Sequence, residues 1–170
     1  CGYPELICEQ NKPQYIKEYN VLIPTYPKEE AVVHFFDELE DNLHPVGAEF
    51  KLSSKYIENT LPICGTCDIL FYNSNDDTFV LGDWKTNKSL IKEYSRYHKI
   101  MMTGCVSDMI NEPISEYTVQ FNLYQKMLES IGINISDRIL IWLKDDGTYE
   151  KIHIDKMPDD VVDKILKGVA

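Results

Sequence analysis

A chain of 170 residues, 44% hydrophobic and 26% charged, has the length of one domain and enough apolar side chains to bury a core. Its formal net charge of -11 excludes attraction to nucleic acid by the overall field, so any such surface has to be local. Five cysteines, odd in number and irregularly spaced, exclude a disulfide scaffold; with no apolar run near ~18 residues and no signal-peptide pattern, a soluble cytoplasmic protein away from membranes is expected.

Residues 1–28 hold four of the eight prolines (Pro4, Pro13, Pro24 and Pro27) and read as an irregular lead-in, with one short strand at "YNVLIP". The chain opens at Cys1 without a methionine, which leaves room for upstream residues. "PKEEAVVHFFDELEDNL" spaces Val32, Phe35, Phe36 and Leu39 as a helix does, behind Pro27 and two glutamates. "VGAEFKLSSKYI" alternates as a strand. "GTCDILFYNSNDDTFVLGDWKT" is a hairpin, two β-rich runs around the turn signal "NSNDD". Residues 87–111 are mixed and read as partly helical. "EPISEYTVQFNLYQKMLESIG" is a second helix, started near Pro113 and Ser115 and ended by Gly132. "DRILIWL" is a buried strand, "KDDG" a turn, "TYEKIHI" a return strand, and "PDDVVDKILKGVA" a closing helix. The order predicts a single α/β domain over 1–170, a central sheet flanked by helices.

The hairpin carries two carboxylates. With a loop over 73–78, Tyr72 faces Phe79 and Asp68 lies opposite Asp83, while Lys85 shares a face with Asp83. Like charges directly opposed on a sheet are destabilising. A shared proton, the lysine or a cation has to offset them, and two hard oxygen ligands suit Mg2+ or Mn2+. A metal there would polarise a phosphate and ionise a water, with Lys85 orienting or deprotonating the water or balancing phosphate charge. The bland alternative is a solvent-facing strand end on which Lys85 pairs with one aspartate.

"PVGAEFKL", "LPICGTCDILF", "FVLGDWKT" and "VQFNLYQKML" together resemble the RecB-like branch of the PD-(D/E)XK nuclease superfamily, to which phage exonucleases and CRISPR-associated RecB-like nucleases belong. The family order is a glutamate on a first strand, G-x-x-D, D-x-K, then Q-x-x-x-Y on a helix. Here these are Glu49, Gly65 with Asp68, Asp83 with Lys85, and Gln120 with Tyr124, over a motif-bearing core of residues 46–128. The resemblance implies a restriction-endonuclease-like core. It implies Asp68, Asp83 and the main-chain carbonyl of Trp84 as ligands of Mg2+ or Mn2+, Lys85 as the catalytic lysine, and Glu49 as a metal-site or water-positioning acid. Gln120 and Tyr124, four apart on one helix face, reach the site or the DNA backbone in that reading; in the plain one Tyr124 is core and Gln120 serves a buried polar group.

Many relatives add a histidine ligand from an upstream helix. By position His34 is the candidate, against the plainer reading of a core or boundary histidine. Cys64 and Cys67 lack the second pair that a structural zinc needs. No cysteine follows Cys105, so the iron–sulfur cluster of some RecB-like nucleases is not expected.

"KTNKSLIKEYSRYHK", 85–99, supplies a local basic surface. Lys85, Lys88, Lys92, Arg96 and Lys99 stand against Glu93 alone, interleaved with Tyr94 and Tyr97. Such a stretch holds phosphates and stacks bases of a single strand or frayed end, or is simply a solvated face. The run "DELED" reads as a solvated face. The expectation is a metal-dependent DNA nuclease, an exonuclease by family analogy, with an endonuclease or a catalytically silent DNA-binding module of a larger assembly as alternatives. Another metal phosphoesterase is the remaining rival. Ring-forming and monomeric relatives share these motifs, which leaves a protein partner or self-assembly open.

Overall fold

A computed structural model describes residues 24, 26–93 and 99–169. Among them run α1 (Pro27–Asp37), β1 (Leu43–Ser53), a 3₁₀ turn (Ser54–Tyr56), β2 (Cys64–Asn73) and β3 (Thr78–Lys85). A second 3₁₀ turn (Gly104–Val106), α2 (Pro113–Glu129), β4 (Ile135–Leu143), β5 (Tyr149–His153) and α3 (Asp159–Lys167) follow. The strands form one mixed sheet in the order β1-β2-β3-β4-β5, so the α/β expectation holds. The strand expected at "YNVLIP" falls on residues outside the described ones, apart from Pro24. No helix of the described residues is long and apolar enough to cross a membrane.

The chain divides into two compact units. The first comprises residues up to Phe50, Thr66–Asn87 and Asn134–His153. Its hairpin has the predicted register: Tyr72 opposite Phe79, Asn73 opposite Thr78 and Ile69 opposite Gly82. The turn at "NSNDD" sets it; Ile69, Leu70 and Phe71 are all buried, so both faces of the hairpin are covered and burial alone does not choose the register. β4 runs parallel to β3, and β5 antiparallel to β4.

One face of the sheet builds the core of this unit. Ile69, Phe71, Val80, Ile139, Ile141 and Leu143 pack there with Ala31 and Phe35 of α1. Trp84 joins them, its ring 5.2 Å from Phe35, edge to face. Gly82 lies on the same face, and a Cβ on it would come within 2.5 Å of Ile69 Cγ2 and 2.9 Å of Phe71 Cε2. Gly82→Ala is therefore expected to cost about 1–3 kcal/mol by overpacking. Urea unfolding of the two proteins checks it, and an unchanged midpoint would mean that the ring and methyl yield freely.

The first helix ends sooner than its apolar pattern suggested. It stops at Asp37, and Leu43 opens β1. The run Asp37, Glu38, Glu40 and Asp41 is acidic where the helix dipole favours cations. Nor is that run only solvated: Glu38 accepts from the Tyr149 hydroxyl (2.6 Å), and Glu40 pairs with Lys151 (2.7 Å).

The second unit comprises Lys51–Gly65, Lys88–Ile133 and the residues from Ile154 onward. α2 buries Phe121, Tyr124, Met127 and Leu128, and α3 buries Val162 and Leu166. Asn122, itself buried, donates to Asp155 O (3.0 Å) and accepts from Met157 N (2.8 Å), which ties the approach to α3 onto α2. The mixed, partly helical character expected in 87–111 is met only by one short 3₁₀ turn among the described residues, and 94–98 lie outside them. Besides that turn at Gly104, the described residues of the segment hold a bridge between Met101 and Ile110. Gly104 has φ 67°, and the backbone bonds Met102 N to Met109 O and Asn111 N to Ile100 O pair the segment with itself.

Candidate active site

The register that places Ile69 opposite Gly82 brings Asp68 opposite Asp83 one step further along. Alternation puts both on the face away from α1, with Leu70, Leu81 and Lys85. The ladder between the two strands changes there. Trp84 N–H donates to Asp68 Oδ2 at 3.1 Å, so a carboxylate takes the place of a ladder carbonyl. The strand that carries Asp68 and the strand that carries Asp83 and Lys85 are neighbours, as the hairpin reading predicts.

Asp83 is buried, with 5% of its surface exposed. Among the described residues its Oδ2 has no hydrogen-bond partner beyond the Lys85 ammonium, with which it forms a salt bridge. Burial pushes the Asp83 carboxyl up from 3.8 to about 6; Lys85 holds it down, and the charge and hydrogen bonding of Asp68 push it up further. The opposed-carboxylate problem read from the sequence is thus present, and the lysine offsets only part of it. The solvent-facing alternative is excluded for Asp83 by its burial and does not describe Lys85, whose side chain is 16% exposed.

Cys67 lies beside this pair. Its thiol is within 3.4 Å of Ile69 O and 3.9 Å of Gly82 O. Burial, then the two aspartates, push its pKa strongly upward, so it is an inert, protonated side chain. Cys64 is exposed and Cys105 half-buried, all three with free thiols.

Across the parallel register, Asp83 is opposite Leu140 and Lys85 opposite Trp142. Trp142 is half-buried; its Nε1–H donates to Asn87 O at 2.7 Å, and Lys144 Nζ lies 5.2 Å from the ring centroid. The sequence reading assigned Trp142 to a buried strand and missed its place. Only the β3–β4 register, a long-range pairing, puts it beside Lys85.

Other predicted residues are not gathered here. Glu49 is exposed on β1 with φ 49°, a left-handed backbone that is rare for a non-glycine. His34 is exposed on α1, the helix that covers the opposite face, which corrects the core or boundary reading. Among the described residues no three His, Cys, Asp or Glu side chains group as a metal cluster.

Within the second unit, Gln120 Nε2 donates to Tyr124 OH at 2.9 Å, and Tyr124 is buried. The Tyr124 ring sits where a Gly65 side chain would be: a Cβ there would come within 2.3 Å of its hydroxyl. The glycine of G-x-x-D therefore makes room for the tyrosine of Q-x-x-x-Y, and Tyr124 follows the core reading. Lys88, Lys92 and Lys99 are exposed. Lys92 Nζ donates to Asn111 Oδ1 at 2.9 Å. Tyr94, Arg96 and Tyr97 lie outside the described residues.

No family model matches this chain, and no curated protein matches it.

Proposed function

We propose that this chain is a Mg2+- or Mn2+-dependent deoxyribonuclease of the RecB-like type, with a restriction-endonuclease-like core, that hydrolyses phosphodiester bonds from DNA ends. The observation that carries the proposal is the buried Asp83 set against Asp68, only partly compensated by Lys85. Two carboxylates and no softer ligand fit a hard ion that retains water in its other positions. They do not fit zinc, which takes four protein or substrate ligands of softer character.

Asp68 and Asp83 would hold the ion, with the Trp84 carbonyl as a third oxygen. When bound, it supplies a water of lowered pKa and polarises the phosphate. Asp83 has to be ionised to act as a ligand, so cleavage should rise with pH through about 6. In the ammonium form that pairs with Asp83, Lys85 has no lone pair with which to take a proton. Its part is to orient the attacking water and balance charge on the phosphate. The new bond joins the water oxygen to phosphorus, and one P–O ester bond breaks. Neither carboxylate touches a base in this scheme, so selection would rest on backbone geometry and strand ends.

The preference for ends rests on family analogy alone. It is tested with end-labelled linear DNA and closed circular DNA in Mg2+, Mn2+ or EDTA. Metal-dependent loss of the linear DNA alone is expected. Nicking or linearisation of the circle would make the chain an endonuclease, and an intact substrate of both kinds would leave a DNA-binding module of a larger assembly.

A further inference from the structure

Trp142 is a large indole left half-open in a strand whose neighbours Leu140, Ile141 and Leu143 are all buried. It shares the face of Asp83 and Lys85 and stands next to Lys85 on the adjoining parallel strand, at the usual strand spacing of about 4.8 Å. Both residues lie toward the carboxyl ends of β3 and β4, the end at which open α/β sheets bind ligands. The bond from Nε1 to Asn87 O fixes the ring. Lys144 Nζ covers one face of the indole and is itself paired with Glu150 (2.9 Å), the residue opposite Trp142 on β5, so the other face is the one left for a ligand.

From this geometry we propose that Trp142, next to Lys85, is the stacking platform for an unpaired nucleobase. The inference rests on the nuclease reading and adds to it a substrate class: a single strand or frayed end, bound without preference for base identity. A stacked ring offers every base the same π-face, and the ring's one hydrogen-bonding edge is already taken by Asn87. An indole packed only for stability would have no reason to favour a strand with bases over one without.

The experiment is binding of oligothymidylate and of an abasic oligomer of equal length and charge, in EDTA to stop turnover, read by tryptophan fluorescence and by competition. The wild type is expected to bind the thymidylate about 5- to 150-fold more tightly than the abasic strand, with quenching. Trp142→Ala should bind the two alike. Trp142→Phe should retain most of the preference while losing the quench, which separates stacking from a general loss of structure. Equal affinity of the wild type for both strands, or a preference that survives in Trp142→Ala, overturns the inference while metal-dependent cleavage by the same protein keeps the nuclease reading. A wild type that neither binds the strands nor cleaves overturns both.

Discussion

Asp83→Asn is expected to abolish cleavage and yet to stabilise the metal-free protein. The loss of activity should be on the order of 10²–10³-fold or more, because a neutral amide is a poor ligand and Asp68 would be left as the one carboxylate of the pair. The gain in stability follows from proton linkage. The Asp83 carboxyl keeps its proton up to about 6 in the folded chain and only up to 3.8 in the unfolded one. Between those values the folded state binds more protons, so stability falls as pH rises. The raised value contributes stability that is fully present below 3.8 and lost above about 6, a swing of about 3 kcal/mol. Asparagine cannot ionise and escapes that loss. Urea unfolding in EDTA should show the variant gaining on the wild type by up to about 3 kcal/mol between pH 3.5 and 8. A constant difference across that range would mean that the Asp83 carboxyl titrates alike in the folded and the unfolded chain.

Lys85→Ala is expected to remove activity by about 10²–10⁴-fold and to lower stability in EDTA at pH 8. It takes the ammonium from a buried carboxylate that has, among the described residues, no other hydrogen bond on its Oδ2. Leaving a buried charge unpaired costs about 3–5 kcal/mol, and this pair, with the lysine side chain 16% exposed, should lie toward the lower end. The double variant Asp83→Asn/Lys85→Ala should regain most of that stability and none of the activity. Single-turnover cleavage and urea midpoints of the four proteins form the cycle. Additive stability effects would show that the two side chains do not act on each other.

The site was legible in the sequence where local chemistry fixes geometry. The turn "NSNDD" between two β-rich runs determines the hairpin register, and that register alone sets Asp68 against Asp83. It failed where tertiary context decides. Nothing around Glu49 announces a left-handed backbone, since the residue is neither glycine nor asparagine. His34 neighbours Phe35 in sequence, but Ala31 and Phe35 form the buried stripe of α1 and His34 falls off it. "DRILIWL" reads as uniformly buried because periodicity carries no information on which strand lies alongside; Trp142 is opened by its place at the end of the β3–β4 pair. The 87–111 segment has no period for a helix reading to use, and within residues 100–111 the backbone pairs with itself.

Gly82 shows how packing and the candidate site are joined. It lets Ile69 and Phe71 close the core directly behind Asp83. A backbone placed this tightly gives the two aspartates little freedom to swing apart, so relief of their repulsion has to come from a proton, the lysine or a cation.

Calorimetric titration of the wild type and Asp83→Asn with Mn2+ at pH 8 addresses that choice directly. The account predicts saturable binding by the wild type, with a rise in its unfolding midpoint, and loss of both in the variant. Equal binding by the two proteins, or none by the wild type, would contradict a metal site at Asp68 and Asp83.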